Sequence, residues 1–435
     1  MSIPLDRLYH YIHDIAEQVR SDYVLIYRFT PHGSKNIKDL KILFEYSENY
    51  QHPLDRMYPQ IVCYDQEPLD YDFYQALNFI DPHHGVNFDI VSSNLRIHIN
   101  NIYDKCILLH SEKQSIEVQK YQSSHFIPVY YWAHAIIALD WFRFARHVDV
   151  KSNKLQKKFL IYNRAWTGTR EYRLKFVELL QQHNLIDDCQ TSFNPVDPDH
   201  NVHYTTHEFN NTTFKTTHIQ DALPTTVAPS CSSADFIIND YANTKFEVVL
   251  ETLFDDNRIQ LTEKILRPIA CGHPFILAST PGSLAYLRDY GFKTFGSIID
   301  ESYDTKTDPV ARLNLIVTAM KTITEWTPEE QLVNFGKIKE ITNHNKQHFF
   351  SEQFFNLIID ELKHNLTAAF VEMEETNTCK TYINNKKKYN MLLANTNPVE
   401  YYLTRVRRKQ VKQQLILVLR KVRSYYNRYL KSLTQ

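Results

Sequence analysis

Carboxylates follow two apolar runs in the first third of the chain. At the ends of such runs they are candidates to accept a proton. Asp65 and Glu67 come directly after the run Gln60–Tyr64, and Glu112 follows the run Lys105–His110. The carboxyl ends of parallel strands face the crevice of an open α/β sheet, so these acids are predicted to reach a cleft. A carboxylate that takes a proton from an attacking hydroxyl accelerates reactions by roughly 10²–10⁴-fold. Asp65 and Glu67 are favoured as this base, with Glu112 third, and a capping or loop role is the alternative for each.

A second group of residues is suited to bind an anion. A helix is predicted to begin at Thr262 as its N-cap, with Glu263 and Lys264 in the first turn, and another helix start follows Gly282. Helix N-termini attract anions through unpaired amides, and a glycine permits close approach of the backbone. With Lys264 at the same mouth, the pattern predicts a diphosphate site. The alternative is a strand–helix repeat with ordinary caps.

Cationic side chains also follow the predicted strand Phe159–Tyr162. Asn163 and Arg164 end this strand, and Arg170 and Arg173 stand at the next helix start. Arginines in this position can clamp a diphosphate with paired hydrogen bonds. The alternative is that they are surface arginines of a helix.

Metal-binding patterns are short and unspecific. Asp70–Asp72 and Asp197–Asp199 match a minimal Asp-x-Asp, and His200, His203 and His207 have workable zinc spacing on a Thr- and Asn-rich segment. We assign no metal ligand and no cofactor from these patterns.

Short apolar runs alternate with helical patterns along the chain, which predicts parallel strands joined by helices. Further strands are predicted at Phe126–Tyr130, Asp235–Ile238, Phe246–Leu250 and Phe275–Ala278, and helices at Leu5–Val19, Tyr131–Arg146, Arg170–Gln182, Thr262–Cys271, Ser283–Tyr290, Pro328–Ile341 and Ser351–Glu372. The segment 190–233 has four prolines and little periodicity, so it is predicted to be irregular.

A polar, lysine-rich stretch at Lys151–Lys158 is a candidate linker between two domains. The predicted organisation is an N-terminal domain over 1–153 and a C-terminal domain over 154–345. Closing helices are predicted over 346–380 and a basic tail over 381–435.

Composition excludes several classes of protein. The 435 residues include only 8 glycines, and neither G-x-G-x-x-G nor G-x-x-x-x-G-K-[ST] occurs, which argues against P-loop kinases and dinucleotide dehydrogenases. The 6 cysteines include no C-x-x-C pair, so neither a zinc knuckle nor a disulfide scaffold is indicated. The first residues lack the pattern of a signal peptide, and a cytoplasmic location is the expectation.

Positive charge concentrates in residues 386–435, which hold 13 lysines and arginines against one acid, a formal +12 that leaves −13 for the rest of a chain of total charge −1. Apolar residues recur there at helical spacing among tyrosines and cations, the pattern of a basic amphipathic helix. Its candidate acceptor-contacting cations are Arg407, Arg408, Lys412, Arg420 and Arg423. Three interpretations remain open: a helix docked on the acidic body, an arm for nucleic-acid phosphates, and an anchor at a membrane surface.

The runs Lys245–Thr252, Leu261–Ile265 and Ala270–Leu277 resemble the donor-binding region of alpha-1,3-fucosyltransferases. The shared features are a strand followed by a glutamate, here Glu251, a T-E-K-[LI] helix start, and a small-Gly-x-Pro turn into an apolar strand. The resemblance covers some 35 to 50 residues of this chain. It implies a GT-B fold, metal-independent transfer, and a nucleotide-sugar held by Glu263 at its sugar part and Lys264 at its diphosphate.

The chain also resembles bacteriophage glycosyltransferases of the same type, in the stretches Tyr64–Leu69 and Gly291–Phe295. The expected fold is therefore α/β of GT-B type, with two Rossmann-like domains, a cleft between them and C-terminal helices. The resemblance implies that 1–153 is the acceptor-side domain and 154–345 the nucleotide-sugar-binding domain, and that the location is the host cytoplasm if the chain is phage-encoded. The expected activity is transfer of a sugar from a nucleotide-sugar, UDP- or GDP-linked, to a hydroxyl, with inversion favoured.

The favoured acceptor is a hydroxymethylated pyrimidine of phage DNA, bound with help from the basic tail. A cell-envelope glycan or lipid-linked acceptor, with the tail on a membrane surface, is the rival prediction. A non-catalytic DNA- or glycan-binding protein on a GT-B scaffold is the third.

Overall fold

A computed structural model describes residues 6–19, 26–30, 41–45, 60–64, 106–113, 115, 128–150, 153, 156–217, 219, 235–255 and 257–396, with side chains to residue 375. The chain divides into two compact units, 1–373 and 374–435. The features below belong to the first unit.

One sheet is built from the first part of the chain. Its described strands are β1 Ile26–Thr30, β2 Lys41–Glu45, β3 Gln60–Tyr64, β4 Cys106–His110 and β5 Val129–Tyr131, in the order β2-β1-β3-β4-β5. All neighbouring pairs are parallel except β1 with β2, which is antiparallel. The apolar run of β4 is buried along its length, as a parallel strand covered on both faces requires.

Two of the described helices accompany this sheet. Helix α1 Asp6–Val19 buries Leu8, Ile12 and Ile15, whose spacing of three and four residues defines one apolar face. It contacts helix α2 Ala135–Trp141, which a 3₁₀ turn at Arg143–His147 extends.

The second sheet is parallel throughout. Its strands are β6 Lys157–Ile161, β7 Cys189–Thr191, β10 Thr244–Leu250 and β11 Phe275–Ala278, in the order β11-β10-β6-β7, while β8 Val196–Asp197 and β9 Val202–His203 pair separately as a small antiparallel ribbon. Phe246 of β10 lies opposite Phe159 of β6, and Val248 lies opposite Ile276 of β11. These pairs are buried and form the centre of the core.

Helices connect and cover the second sheet. They are α3 Tyr172–Gln182, α4 Ile238–Ala242, α5 Glu263–Cys271, α6 Ser283–Asp289, α7 Pro309–Thr324, α8 Pro328–Phe349 and α9 Glu352–Thr396. The start of α7 is fixed by Asp308, whose carboxylate accepts the amide of Ala311, and α8 begins with a capping box between Thr327 and Glu330.

The structure is therefore α/β with parallel sheets and helices, as the alternation of patterns predicts. The strands predicted at 60–64 and 275–278 and the N-cap at Thr262 are confirmed. The strand predicted at Asp235–Ile238 is wrong. Helix α4 begins at Ile238, and its buried residues Tyr241 and Ala242 lie three and four positions later, which is helical spacing.

The predicted helix Tyr131–Arg146 is confirmed only in part, because strand β5 continues to Tyr131 before α2 begins. Helix α7 is not among the helices predicted from the sequence. The predicted linker Lys151–Lys158 is wrong in its last two residues, because β6 begins at Lys157. The division into domains stays a prediction. Within the described helices, none is long and apolar enough to cross a membrane.

Candidate functional site

The order of the second sheet reverses between β6 and β10. Strand β6 leads through α3 to β7 on one side, whereas β10 lies on the other side of β6 and leads to β11 beyond it. In open parallel sheets, ligands bind at the carboxyl ends of the strands where the order reverses. A cavity of about 430 Å³ opens at this edge, lined by Gly168 and Thr169 after β6 and by Asp255 and Asn257 after β10.

Two arginines of the turn after β6 share one carboxylate. Nη2 of Arg164 lies 2.9 Å from Oδ1 of Asp199, and Nη2 of Arg170 lies 3.1 Å from Oδ2. The side chain of Arg164 is 54% exposed and that of Arg170 is 25% exposed, so the cluster is open to solvent. The two guanidinium groups therefore share the single carboxylate of Asp199.

A buried aspartate holds the backbone of this cluster. Asp197 is fully buried, and its carboxylate accepts the amides of Trp166 and Thr167 on one side and of Asp199 and His200 on the other, at 2.7–3.1 Å. Burial alone would raise the pKa of Asp197, but these four donors outweigh it and hold the pKa below its ordinary value. The turn that carries the arginines and the segment that carries Asp199 are therefore fixed to each other.

Arg173 ties the ends of β6 and β10 together and is almost fully buried. Its Nη1 donates to the carbonyl of Ala165 and to Oδ1 of Asn163, at 2.6 and 3.1 Å, and its Nη2 donates to the carbonyls of Leu250 and Glu251, at 2.7 and 3.0 Å. Burial lowers the pKa of Arg173 from its ordinary value. Neither predicted interpretation, a phosphate clamp or a surface arginine, describes this buried connector.

Asn163 is also buried, and its amide group is only half used. Its Oδ1 accepts from Arg173 and its backbone amide donates to Oγ of Ser192. Its Nδ2 has no hydrogen-bond partner among the described residues. Buried donors are usually paired, so this one is a candidate to meet a ligand.

Glu251 anchors the start of α5. Its carboxylate is fully buried and accepts the amide of Thr262 at 3.1 Å and the hydroxyl of Thr262 at 2.7 Å, while Oγ1 of Thr262 caps the amide of Lys264. Burial raises the pKa of Glu251, and the neighbouring Lys264 charge and the Thr262 donors offset only part of the effect. Glu251, predicted to bind the donor, thus acts here on the helix start beside the cavity.

Glu263 is a buried anion held between two elements. Its Oε1 lies 3.1 Å from Nζ of Lys264, and its Oε2 lies 3.8 Å from Nδ1 of His134, which precedes α2 and stacks on Trp132. Burial opposes the charge, but Lys264 and His134 overcome this opposition and lower the pKa of Glu263 to about 2. The side chain of Lys264 is 30% exposed, whereas that of Glu263 is buried.

At the second predicted helix start, backbone amides already donate to another residue of the chain, Asp304. Gly282 has φ +85°, as a residue without Cβ allows, and its amide donates to the carbonyl of Asp304. The carboxylate of Asp304 accepts the amide of Leu284 at 3.0 Å. The amides that the sequence assigned to a phosphate therefore have an internal anion, and α6 adds little to an anion site.

Glu112 joins the end of β4 to the loop before α5. Its Oε1 lies 3.2 Å from Nη1 of Arg258, and both side chains are buried. On either side of it, the amide of Lys113 donates to the carbonyl of Ile259, and Gln260 donates to Ser111. The structure thus brings the third base candidate to the donor-side loop, in an ion pair.

Several predicted site residues lie outside the described residues. They are the base candidates Asp65 and Glu67 and the tail residues Arg407, Arg408, Lys412, Arg420 and Arg423. In the part of the chain that the structure describes, no group of three or more His, Cys, Asp or Glu side chains is arranged to hold a metal ion. The two aspartates of the Asp-x-Asp at 197–199 bind amides and arginines instead.

The sequence patterns did not predict the roles of three residues of the site: Asp199, Asp197 and His134. The buried position of Arg173 was readable, since Arg173 shares one helix face with the buried residues Phe176 and Val177. The Asp-x-Asp pattern at 197–199 identified two residues of the site, but as a candidate metal site and not as partners of amides and arginines. His134 lacked any local signal, because its partner lies more than a hundred residues away in the chain.

Comparisons with protein-family models, curated proteins and solved structures find no match to this chain.

Proposed function

We propose that this chain is a GT-B glycosyltransferase that moves a sugar from a nucleotide-sugar to a hydroxyl. One observation carries the proposal: cations with exposed or partly exposed side chains follow both strands that flank the reversal point of a parallel sheet. Arg164 and Arg170 follow β6, and Lys264 follows β10 at the first turn of α5. Positive charge at such an edge suits the diphosphate of a nucleotide-sugar.

In the proposed reaction, the acceptor oxygen attacks the anomeric carbon and the bond from that carbon to the diphosphate breaks. The nucleoside diphosphate leaves with the negative charge, which Arg164, Arg170 and Lys264 stabilise. Cations fixed where charge develops contribute strongly to catalysis because they need no reorganisation during the reaction. A single displacement of this kind inverts the anomeric centre.

The acceptor's proton goes to a carboxylate of the first sheet. Asp65 and Glu67 remain the favoured candidates, since Glu112 is engaged with Arg258 in a buried ion pair. An acid in such a pair is a weak proton acceptor, because the neighbouring guanidinium favours its ionised form. Glu112 is better suited to orient the loop before α5.

For the acceptor we propose a hydroxymethylated pyrimidine of DNA, flipped into the cleft. The formal +12 of residues 386–435 supports it, since phosphate neutralisation dominates protein affinity for DNA. The same charge and the interleaved tyrosines suit anionic lipid headgroups, which favours an envelope acceptor as the second candidate.

The test is donor turnover by the full chain. UDP- and GDP-sugars are incubated with duplex DNA that contains 5-hydroxymethylcytosine, with unmodified DNA, and with vesicles of anionic lipid. We expect release of one nucleoside diphosphate and a glycosylated nucleoside by mass spectrometry, only with the modified DNA. Transfer only in the presence of vesicles would move the acceptor to the envelope class, and absence of both binding and turnover for every nucleotide-sugar would exclude the enzyme.

Three variants separate the proposed roles. Asp65→Asn, Glu67→Gln and Glu112→Gln are compared for turnover and for nucleoside-diphosphate affinity. The variant of the base is expected to lose about 10²–10⁴-fold in kcat with affinity retained. If all three retain kcat, the base lies elsewhere.

A further inference from the structure

The two-arginine turn after β6 already contains an anion, supplied by the chain. Each oxygen of the Asp199 carboxylate contacts a different guanidinium, at 2.9 and 3.1 Å. This is the arrangement in which two arginines bind two oxygens of a phosphate group. We propose that Asp199 is an internal competitor for the diphosphate, and that donor binding replaces its side chain between Arg164 and Arg170.

The surroundings allow Asp199 to leave without loss of the site. The carboxylate of Asp199 is 27% exposed, so it can turn into solvent. The backbone on both sides is fixed by the buried Asp197, which binds the amides of Trp166, Thr167 and Asp199. Only one side chain has to move, and the arginine turn keeps its shape.

Space for a larger anion lies beside the cluster. Gly168 has φ +64°, and a Cβ placed on it would meet no atom within 4 Å. Gly168 and Thr169 also line the cavity of about 430 Å³ at the carboxyl ends of β6 and β10. The cavity lining also includes Glu171 and Asp255, so it suits the uncharged part of a ligand whose diphosphate displaces Asp199.

The charges favour the exchange. Two guanidiniums face one negative charge in the free protein, whereas a diphosphate brings at least two. Exposed ion pairs are individually weak, with contributions of about 0.2–1 kcal/mol each, so a ligand with more charge can replace Asp199. Asp199 would then lower the affinity for every diphosphate and reject weakly charged anions from the turn.

The experiment compares Asp199→Asn with the wild-type chain by calorimetric titration with UDP, GDP, uridine, guanosine and inorganic pyrophosphate. Asparagine keeps the size of the side chain and removes its charge. We expect Asp199→Asn to bind pyrophosphate and the preferred nucleoside diphosphate about three- to tenfold more tightly, with nucleoside affinity unchanged. The gain should shrink as salt is raised from about 0.05 to 0.5 M, because salt screens exposed charges.

A matched control exists at the opposite edge of the same sheet. Asp188, which precedes β7, forms a surface ion pair with Lys158 at 3.6 Å and is 35% exposed. Asp188→Asn removes an equal charge and should leave all five affinities unchanged. Adding Arg170→Gln to Asp199→Asn should abolish the gain, because the gain requires the clamp.

The inference rests on the proposed function only for the identity of the natural ligand. Equal affinity of wild type and Asp199→Asn for a nucleoside diphosphate that both bind would overturn the inference and leave the glycosyltransferase proposal standing. Tighter pyrophosphate binding by Asp199→Asn without turnover of any nucleotide-sugar would support the anion exchange and count against the glycosyltransferase. Weaker binding by Asp199→Asn, with its melting temperature unchanged, would make Asp199 part of the binding machinery and reverse its role.

Discussion

The turn after β6 and the junction of β10 with α5 gather charged residues at one edge of the same sheet, but they use them differently. Around the junction, the charged side chains of Arg173, Glu251 and Glu263 are buried. Arg173 donates to backbone carbonyls, Glu251 accepts from Thr262, and Glu263 pairs with Lys264. On the turn, the side chain of Arg164 is exposed, those of Arg170 and Asp199 are partly exposed, and ion pairs join both arginines to Asp199. Buried charges shape this edge, and exposed charges are available to a ligand.

The strongest test of this difference is to remove one arginine from each region. Arg173→Met leaves four buried acceptors without their charged donor, and we expect the free energy of unfolding to fall by about 3–5 kcal/mol. Arg164→Met should change it by less than about 0.5 kcal/mol. Urea denaturation of both variants measures these losses, and similar values for the two would contradict the distinction.

A buried histidine near the end of α5 should make stability depend on pH. Burial lowers the pKa of His273 to about 3, and its ring packs edge-on against Tyr241. As pH falls below about 6.5, the unfolded chain takes up a proton that folded His273 does not, so stability should fall by about 1.4 kcal/mol per pH unit.

His273→Gln removes the side chain that takes up this proton in the unfolded chain. Between pH 7.5 and 5, the unfolding free energy of this variant should therefore fall less than that of the wild type. The difference between the two falls should reach about 2 kcal/mol at pH 5. His110, whose pKa burial also lowers to about 3, acts equally in both proteins. Glu263 has a depressed pKa, so its contribution is complete above about pH 4.5 and is lost only as pH falls toward about 2. Parallel curves for the two proteins would show that His273 accepts a proton in the folded state.

Thr262 tests whether the start of α5 depends on its buried partner. Thr262→Val removes the N-cap and the hydroxyl donor to Glu251, and we expect a loss of about 1–2 kcal/mol in unfolding free energy. Thr262→Ser keeps the hydroxyl and should lose less than half as much. Equal losses would assign the effect to packing of the methyl group.

Lys264 belongs to the junction but shares a feature of each region, because it contacts buried Glu263 and its side chain is partly exposed. Lys264→Met should weaken binding of nucleoside diphosphates about tenfold and change the unfolding free energy by less than about 1 kcal/mol. Lys321→Met, on the exposed face of α7, is the control and should leave affinity unchanged. A large loss of stability with unchanged affinity would place Lys264 among the buried scaffold instead.

Local patterns predicted much of this edge of the sheet. The strand at 275–278 and the cap at Thr262 follow from local residue types, and both are confirmed. The roles of the charged residues depended on partners distant in sequence. The carboxylate of Asp304 occupies the amides assigned to a phosphate, and Asp199 occupies the arginines. One sequence does not reveal such pairings, because the fold brings them together from separate loops.

The contacts at the end of β4 restrict how the two sheets can move. Glu112 with Arg258, Lys113 with Ile259 and Ser111 with Gln260 fasten three successive residues to the loop before α5. Lys113 further contacts Glu361 of α9 at 3.1 Å. These contacts hold the end of β4, the loop before α5 and α9 together, so any separation of the two sheets at this point would have to break a buried ion pair and two hydrogen bonds at once.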